Sequence, residues 1–216
     1  MNFNRLKTLY LIARVTPPYQ QSGSDAKRLL ILGDSTGYGT GATRSSESVA
    51  GQIGAAFPQL TIVNKSTNGR AAKQLMRHVE NFKGFHDIIL LQIGANDLLR
   101  HTPPAEVVEH IEALVKRLAP HTKQLIVMTA SNIGAASRFD RKTQEVYTAA
   151  SRIYEIVMAE RALETKEFTF VQLFTEPEFD PFVLHPEINT SCDGLHPTSV
   201  GYRLWFEALK PYLKEI

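Results

Sequence analysis

The chain has 216 residues, long enough for one domain with a full hydrophobic core, and 43% hydrophobic with 21% charged residues is ordinary for a soluble globular protein. A formal charge of +2, with Lys and Arg scattered rather than gathered in a stripe, gives no argument for nucleic acid as a partner. The single cysteine, Cys192, excludes an internal disulfide, and no cysteine cluster exists that could hold zinc.

Residues 1–27 differ from the rest. Leu9-Tyr10-Leu11-Ile12-Ala13 is apolar, but Arg14 interrupts the run and Pro17-Pro18 follow, so it is too short to span a bilayer. No clear signal-peptide cleavage pattern follows either, which favours a cytoplasmic location. The segment reads as an N-terminal arm packed on the domain surface, with Gln20 to Lys27 as a polar linker. A membrane-surface anchor and a flap over a binding site are its alternatives. The expected division is thus 1–27 for arm and linker and 28–216 for the domain.

From Arg28 onward, short apolar runs alternate with helical patterns. Leu29-Leu30-Ile31-Leu32 is a continuous run ending at Gly33, as in a strand buried on both faces. Thr61-Ile62-Val63, Asp87 to Ile93, Gln124 to Thr129 and Phe168 to Leu173 complete a set of five candidate strands. In Ala105 to Leu118 the apolar residues Val107, Val108, Ile111, Leu114, Val115 and Leu118 recur at helical spacing. Thr143 to Leu163 and Ser199 to Leu213 also read as helices. Alternation of this kind implies an α/β fold, a parallel sheet covered on both faces, with ligands bound beyond the carboxyl ends of the strands.

The polar motifs fall where that rule wants them. Ser35 follows the first strand in Gly33-Asp34-Ser35-Thr36-Gly37, a turn that either aims a hydroxyl into a cleft or simply caps a helix. The pentapeptide also matches the Gly-x-Ser-x-Gly elbow of the α/β-hydrolases, but it follows the first strand, too early for that fold. Gly37-Tyr38-Gly39-Thr40-Gly41-Ala42 fits a loose dinucleotide pattern, yet Gly37 lies past the strand tip and no acidic residue ends the second strand. Gly69 follows the second strand in Asn64 to Gly69, and Asn96 follows the third in Gly94-Ala95-Asn96-Asp97. A carboxamide there can serve as an oxyanion donor or as a helix cap.

Near the far end, Asp193-Gly194-Leu195-His196-Pro197 sets a carboxylate three residues before an imidazole, able to fix its tautomer and stabilise its charged form. Ser35, His196 and Asp193 are together the parts of an activated serine. Of the other histidines, His78, His86, His101, His110 and His121 read as surface residues and His185 as a loop-rim residue. Cys192 reads as a small buried thiol.

Taken together, the four motifs resemble the SGNH hydrolases, the GDSL lipase/esterase superfamily, from Leu29 to about Leu213. The resemblance implies a three-layer α/β/α fold with a five-stranded parallel sheet. It assigns Ser35 as nucleophile, His196 as general base then acid and Asp193 as orienting acid. The oxyanion hole would be the Ser35 and Gly69 backbone amides with the Asn96 side chain. No metal or cofactor is implied, and the partner is a small-molecule ester: a carboxylic ester, thioester, lysophospholipid or acetylated sugar. Thr36 stands where the family's common name expects Leu, and the Gly69 block is the loosest. A catalytically silent acyl- or glycan-binding module on the same fold is the alternative reading, and a nucleotide-binding α/β domain is a third. Gly134 to Phe139 and Phe179 to Asn189 are the expected pocket walls, with Phe139, Phe179 and Phe182 pointing to an apolar acyl site. Oligomeric state is not readable from the sequence.

Overall fold

A computed structural model describes residues 3–213; positions 1, 2 and 214–216 of the two expected segments lie outside the described residues. Five strands, β1 (Arg28–Gly33), β2 (Thr61–Asn64), β3 (His86–Gln92), β4 (Thr122–Met128) and β5 (Thr169–Val171), form one sheet in the order β2-β1-β3-β4-β5, every pair parallel. Around it run α1 (Phe3–Arg14), α2 (Ser35–Tyr38), α3 (Val49–Ala56), α4 (Ala72–Val79), α5 (Ala95–Leu99), α6 (Pro104–Leu118), α7 (Arg141–Thr165), α8 (Pro181–Leu184), α9 (Pro186–Asn189) and α10 (Ser199–Leu209). The last expected helix ends at Leu209, and Lys210–Leu213 tightens into a 3-10 turn at Pro211.

The continuous apolar runs are explained by burial on both faces. Successive strand residues point to opposite sides. Leu30, Leu32, Ile89, Leu91, Leu125 and Val127 enter the core under α4, α6 and α7. Leu29, Ile31, Ile88, Leu90, Ile126 and Met128 enter the core under α3 and α10, where Tyr202, Trp205 and Phe206 pack. The result is a three-layer α/β/α sandwich with a five-stranded parallel sheet, as the sequence leads one to expect. Strand order reverses between β1 and β3, and such a switch point opens a crevice at the carboxyl edge. The loops after β1 and β3 carry Ser35 and Asn96 into it.

The N-terminal segment is built onto the domain. Leu11 and Val15 are 2% and 1% exposed, and burying side chains of this size stabilises by roughly 1.5–3 kcal/mol each. Arg14 donates to the Thr43 carbonyl at 3.2 Å, and the Thr16 and Tyr38 hydroxyls lie 2.9 Å apart. The stretch expected as a polar linker runs along the sheet edge. Gln21 forms an antiparallel bridge with Ile62, and the Gln20 side chain bonds both the amide and the carbonyl of Asn64. Edge coverage of this kind satisfies backbone groups that an open β2 would leave to water. Among the described residues, no helix is long and apolar enough to cross a membrane.

Candidate active site

Asp34 ends the β1 turn as the N-cap of α2. Its Oδ1 accepts the Thr36 amide and the Thr36 hydroxyl, both at 2.8 Å. The departure at Thr36 thus has a local reason: a threonine hydroxyl holds the buried carboxylate, which leucine would not. Burial pushes the Asp34 carboxyl up to about 6, against the opposing hydrogen bonds from Thr36 and the charge of His196. The cap leaves Ser35 at the first position of α2, half-buried, with its side chain facing the crevice.

The His196 imidazole reaches Ser35 from the other end of the chain. Its Nε2 lies 3.0 Å from Ser35 Oγ, and its Nδ1 lies 2.7 Å from Asp193 Oδ2. A carboxylate only accepts, so Nδ1 carries the proton and the Nε2 lone pair faces the serine hydroxyl. Asp193 is 1% exposed. Burial raises its pKa, but the hydrogen bonds and charge of His196, with a further bond from Thr8, hold the carboxyl well below the usual range. Its Oδ1 accepts Ser191 Oγ and the amides of Leu195 and His196 at 3.0–3.1 Å.

The glycine-rich run after Ser35 serves packing. Gly41 has φ of +105°, and a Cβ there would collide with the Pro197 carbonyl and approach His196 Cβ to 2.9 Å. The loop can therefore pack this closely against His196 and Pro197 only with glycine at 41. The run begins inside α2 at Gly37, and Gly39 is the C-cap of that helix, so these glycines do not form the turn between β1 and a helix that a dinucleotide fold uses.

Asn96, half-buried near the start of α5, directs Nδ2 toward Asp34 Oδ2 at 3.4 Å and lines the same cavity as Ser35 and Gly69. Gly69 adopts φ of +75° at the exposed rim, and its carbonyl accepts from Arg100 Nη2 at 2.6 Å. The five residues singled out from sequence, Ser35, Gly69, Asn96, Asp193 and His196, are thus brought to one place. The cavity holds about 570 Å³, and Ile12, Leu99, Ile133, Phe182, Leu195 and Trp205 supply apolar wall.

Several expectations are corrected. Phe139 turns away from the cavity to pack on Tyr147, with ring centroids 5.0 Å apart, and Phe179 is 70% exposed, so of the three phenylalanines Phe182 alone lines the cavity. Cys192 is exposed: a turn closed by the Gly194 amide on the Ser191 carbonyl points its neighbours Ser191 and Asp193 inward and the thiol outward. His86, His110 and His121 are half-buried rather than on the surface, whereas His185 does sit on the exposed rim beside Glu187. None of them lines the cavity.

For the N-terminal segment, sequence reasoning offered a flap over a binding site as one alternative but singled out none of its residues. Arg5, Thr8 and Ile12 of α1 line the cavity, and Thr8 Oγ1 donates to Asp193 Oδ2 at 2.8 Å. Their spacing of three and four residues puts them on one helical face, which is the signal that could have found them. Ser131, in the left-handed region at φ of +53°, also lines the cavity at the end of β4.

The model of the GDSL-like lipase/acylhydrolase family matches residues 31–204. An arylesterase of Vibrio mimicus is 23% identical over 198 residues, 89% of each chain. Among solved structures, a member of the lipolytic protein G-D-S-L family from Veillonella parvula superposes with a TM-score of 0.74 at 15% identity, covering 88% of this chain and 100% of that one. A catalytic mutant of an acetylxylan esterase from Geobacillus stearothermophilus gives 0.62 at 21% identity, covering 88% and 95%. At these identities the structural likenesses speak for the fold.

Proposed function

The chain belongs to the GDSL-like lipase/acylhydrolase family of ester-hydrolysing serine enzymes, and on that premise we propose that Ser35, His196 and Asp193 act as its catalytic triad on small carboxylic esters. The observation that carries the reading is the unbroken relay of contacts, 3.0 Å from Ser35 Oγ to His196 Nε2 and 2.7 Å from His196 Nδ1 to Asp193 Oδ2. These separations lie within the reach that general-base catalysis requires.

In this reading His196 Nε2 takes the Ser35 proton as Oγ attacks the ester carbonyl. Asp193 keeps the proton on Nδ1 and stabilises the imidazolium. The oxyanion of the tetrahedral intermediate receives hydrogen bonds from the Ser35 and Gly69 amides and from Asn96 Nδ2. His196 then gives its proton to the departing alkoxide, leaving an acyl-enzyme on Ser35. Water, deprotonated by the same imidazole, releases the acid and returns the proton to Ser35. The apolar wall of Ile133, Phe182 and Trp205 suits the acyl part of the substrate. An aryl ester, like that named for the Vibrio relative, and a sugar acetate, like that named for the Geobacillus relative, fit the same chemistry.

The test is labelling by a fluorophosphonate, read by intact mass on the wild type and on Ser35→Ala. One adduct on the wild type and none on the folded variant is the expected result. An adduct that survives the substitution, or none on the wild type, overturns the assignment.

A further inference from the structure

Asp193 is held by two groups of donors that differ in origin. Ser191 Oγ and the amides of Leu195 and His196, all bound to Oδ1, belong to the same short loop as the carboxylate. Oδ2 accepts His196 Nδ1 at 2.7 Å and Thr8 Oγ1 at 2.8 Å, and Thr8 stands 185 residues away in α1. A carboxylate oxygen has two in-plane lone pairs. With the imidazole on one, the Thr8 hydroxyl occupies the position that water would otherwise take.

Thr8 is fixed from both sides along its helix. Leu11 and Val15 are buried beneath α1, Arg14 is tied to Thr43, and Arg5 and Ile12 on the face of Thr8 form cavity wall. A hydroxyl held this way constrains the plane of the carboxylate and so the ring that bonds to it.

We propose that Thr8 is a positioning residue for the Asp193–His196 pair, which makes α1 a built part of the active site. The inference rests on the triad reading above. Thr8 touches no reacting atom; it acts on the imidazole through Asp193. Its hydrogen bond also draws charge from Oδ2. Without that bond the carboxylate favours the imidazolium more strongly; Asp34, the other carboxyl whose charge acts on His196, is the same in every variant, so the pH at which the base becomes available rises.

The experiment compares wild type, Thr8→Val, Thr8→Ala and Thr8→Ser. It follows kcat and KM on a p-nitrophenyl short-chain ester across pH, with thermal midpoints recorded alongside. Thr8→Val should lower kcat about tenfold, leave KM within about twofold, and move the acid limb of kcat/KM to higher pH. Thr8→Ser, which restores the donor, should return both rate and limb to within about twofold of wild type. Thr8→Ala removes the donor while favouring the helix, and stands in if Thr8→Val does not fold. An unmoved acid limb in the variants without a donor, or a Thr8→Ser variant as damaged as Thr8→Val, overturns the proposal, because packing alone would produce either result. A wild type that neither hydrolyses the ester nor takes up a fluorophosphonate overturns the triad reading itself, and the proposal falls with it. The two failures are told apart by that wild-type control.

Discussion

Asp34 Oδ2 and Asn96 Nδ2 face each other at 3.4 Å across the strand-order switch between β1 and β3. The contact ties the cap that presents Ser35 to the carboxamide proposed to receive the oxyanion. Asn96→Ala should lower kcat by roughly 10²–10³ with little change in KM, the size of effect that loss of one oxyanion donor produces. Asp34→Asn should also be impaired. Two arrangements are open to it: one amide turns its NH2 toward the Asn96 NH2, the other toward the Thr36 amide, and both set donor against donor. Steady-state kinetics on a short-chain ester would check both, and an Asn96→Ala variant within about threefold of wild type would exclude the carboxamide from the oxyanion site.

Gly69 depends on its conformation more than on space. Beyond its two chain neighbours, no heavy atom among the described residues lies within 4 Å of the position a Cβ would take, while φ of +75° disfavours any side chain. Gly69→Ala should therefore lower kcat about tenfold through a reorganised loop, for an alanine pays roughly 1–2 kcal/mol to remain left-handed. Arg100→Ala, which releases the Gly69 carbonyl, should give a smaller loss, between about twofold and tenfold. Equal kcat for Gly69→Ala and wild type would contradict the expected reorganisation and show that the loop keeps its left-handed turn with alanine in place.

Glu155 supplies a pH dependence of stability that is separate from catalysis. It lies 3% exposed on α7 with Oε1 hydrogen-bonded by the Thr129 hydroxyl, and burial pushes its carboxyl up to about 7 from 4.5. A carboxyl raised on folding stays protonated in the native state while the unfolded chain ionises. Its contribution is complete below pH 4.5 and is lost as pH rises to about 7. The difference is on the order of 3 kcal/mol. Asp34, raised to about 6 by burial, adds in the same direction. Thermal midpoints should fall between pH 4.5 and pH 7.5 in the wild type and fall less in Glu155→Gln; parallel curves for the two proteins would contradict this.

The architecture was legible because a strand buried on both faces must be apolar throughout. Leu29 to Leu32 and Ile88 to Leu91 carry that requirement in consecutive residues. The α3 and α4 helices were not read. Val49–Ala56 is rich in Gly and Ala, and in Ala72–Val79 the buried Ala72, Leu75 and Val79 recur at helical spacing but over only about two turns, a short signal. The N-terminal helix escaped for a different reason. Its outward residues Leu6, Leu9 and Tyr10 are as apolar as its buried Leu11, so no stripe separates the faces. The site was legible at residues that sit in turns after strands, since a turn advertises itself locally. Thr8 has no such marker: its partner is fixed by packing, and only the folded chain brings the two together.

Ser35 and His196 are 161 residues apart in sequence, and Thr8 and Asp193 are 185 apart. Between Ser35 and His196 the chain must lay down β2, β3, β4 and β5 and pass through α8 and α9 before the imidazole finds the hydroxyl. Contacts so distant in sequence carry a loop-closure cost that the intervening structure has to offset first. During synthesis, a chain that has emerged only as far as α7 presents Ser35 with neither the proposed base nor the proposed acid. On the proposed triad, ester cleavage is thereby tied to a segment made after the whole sheet, and a turnover assay counts molecules that have passed that point rather than earlier folded pieces.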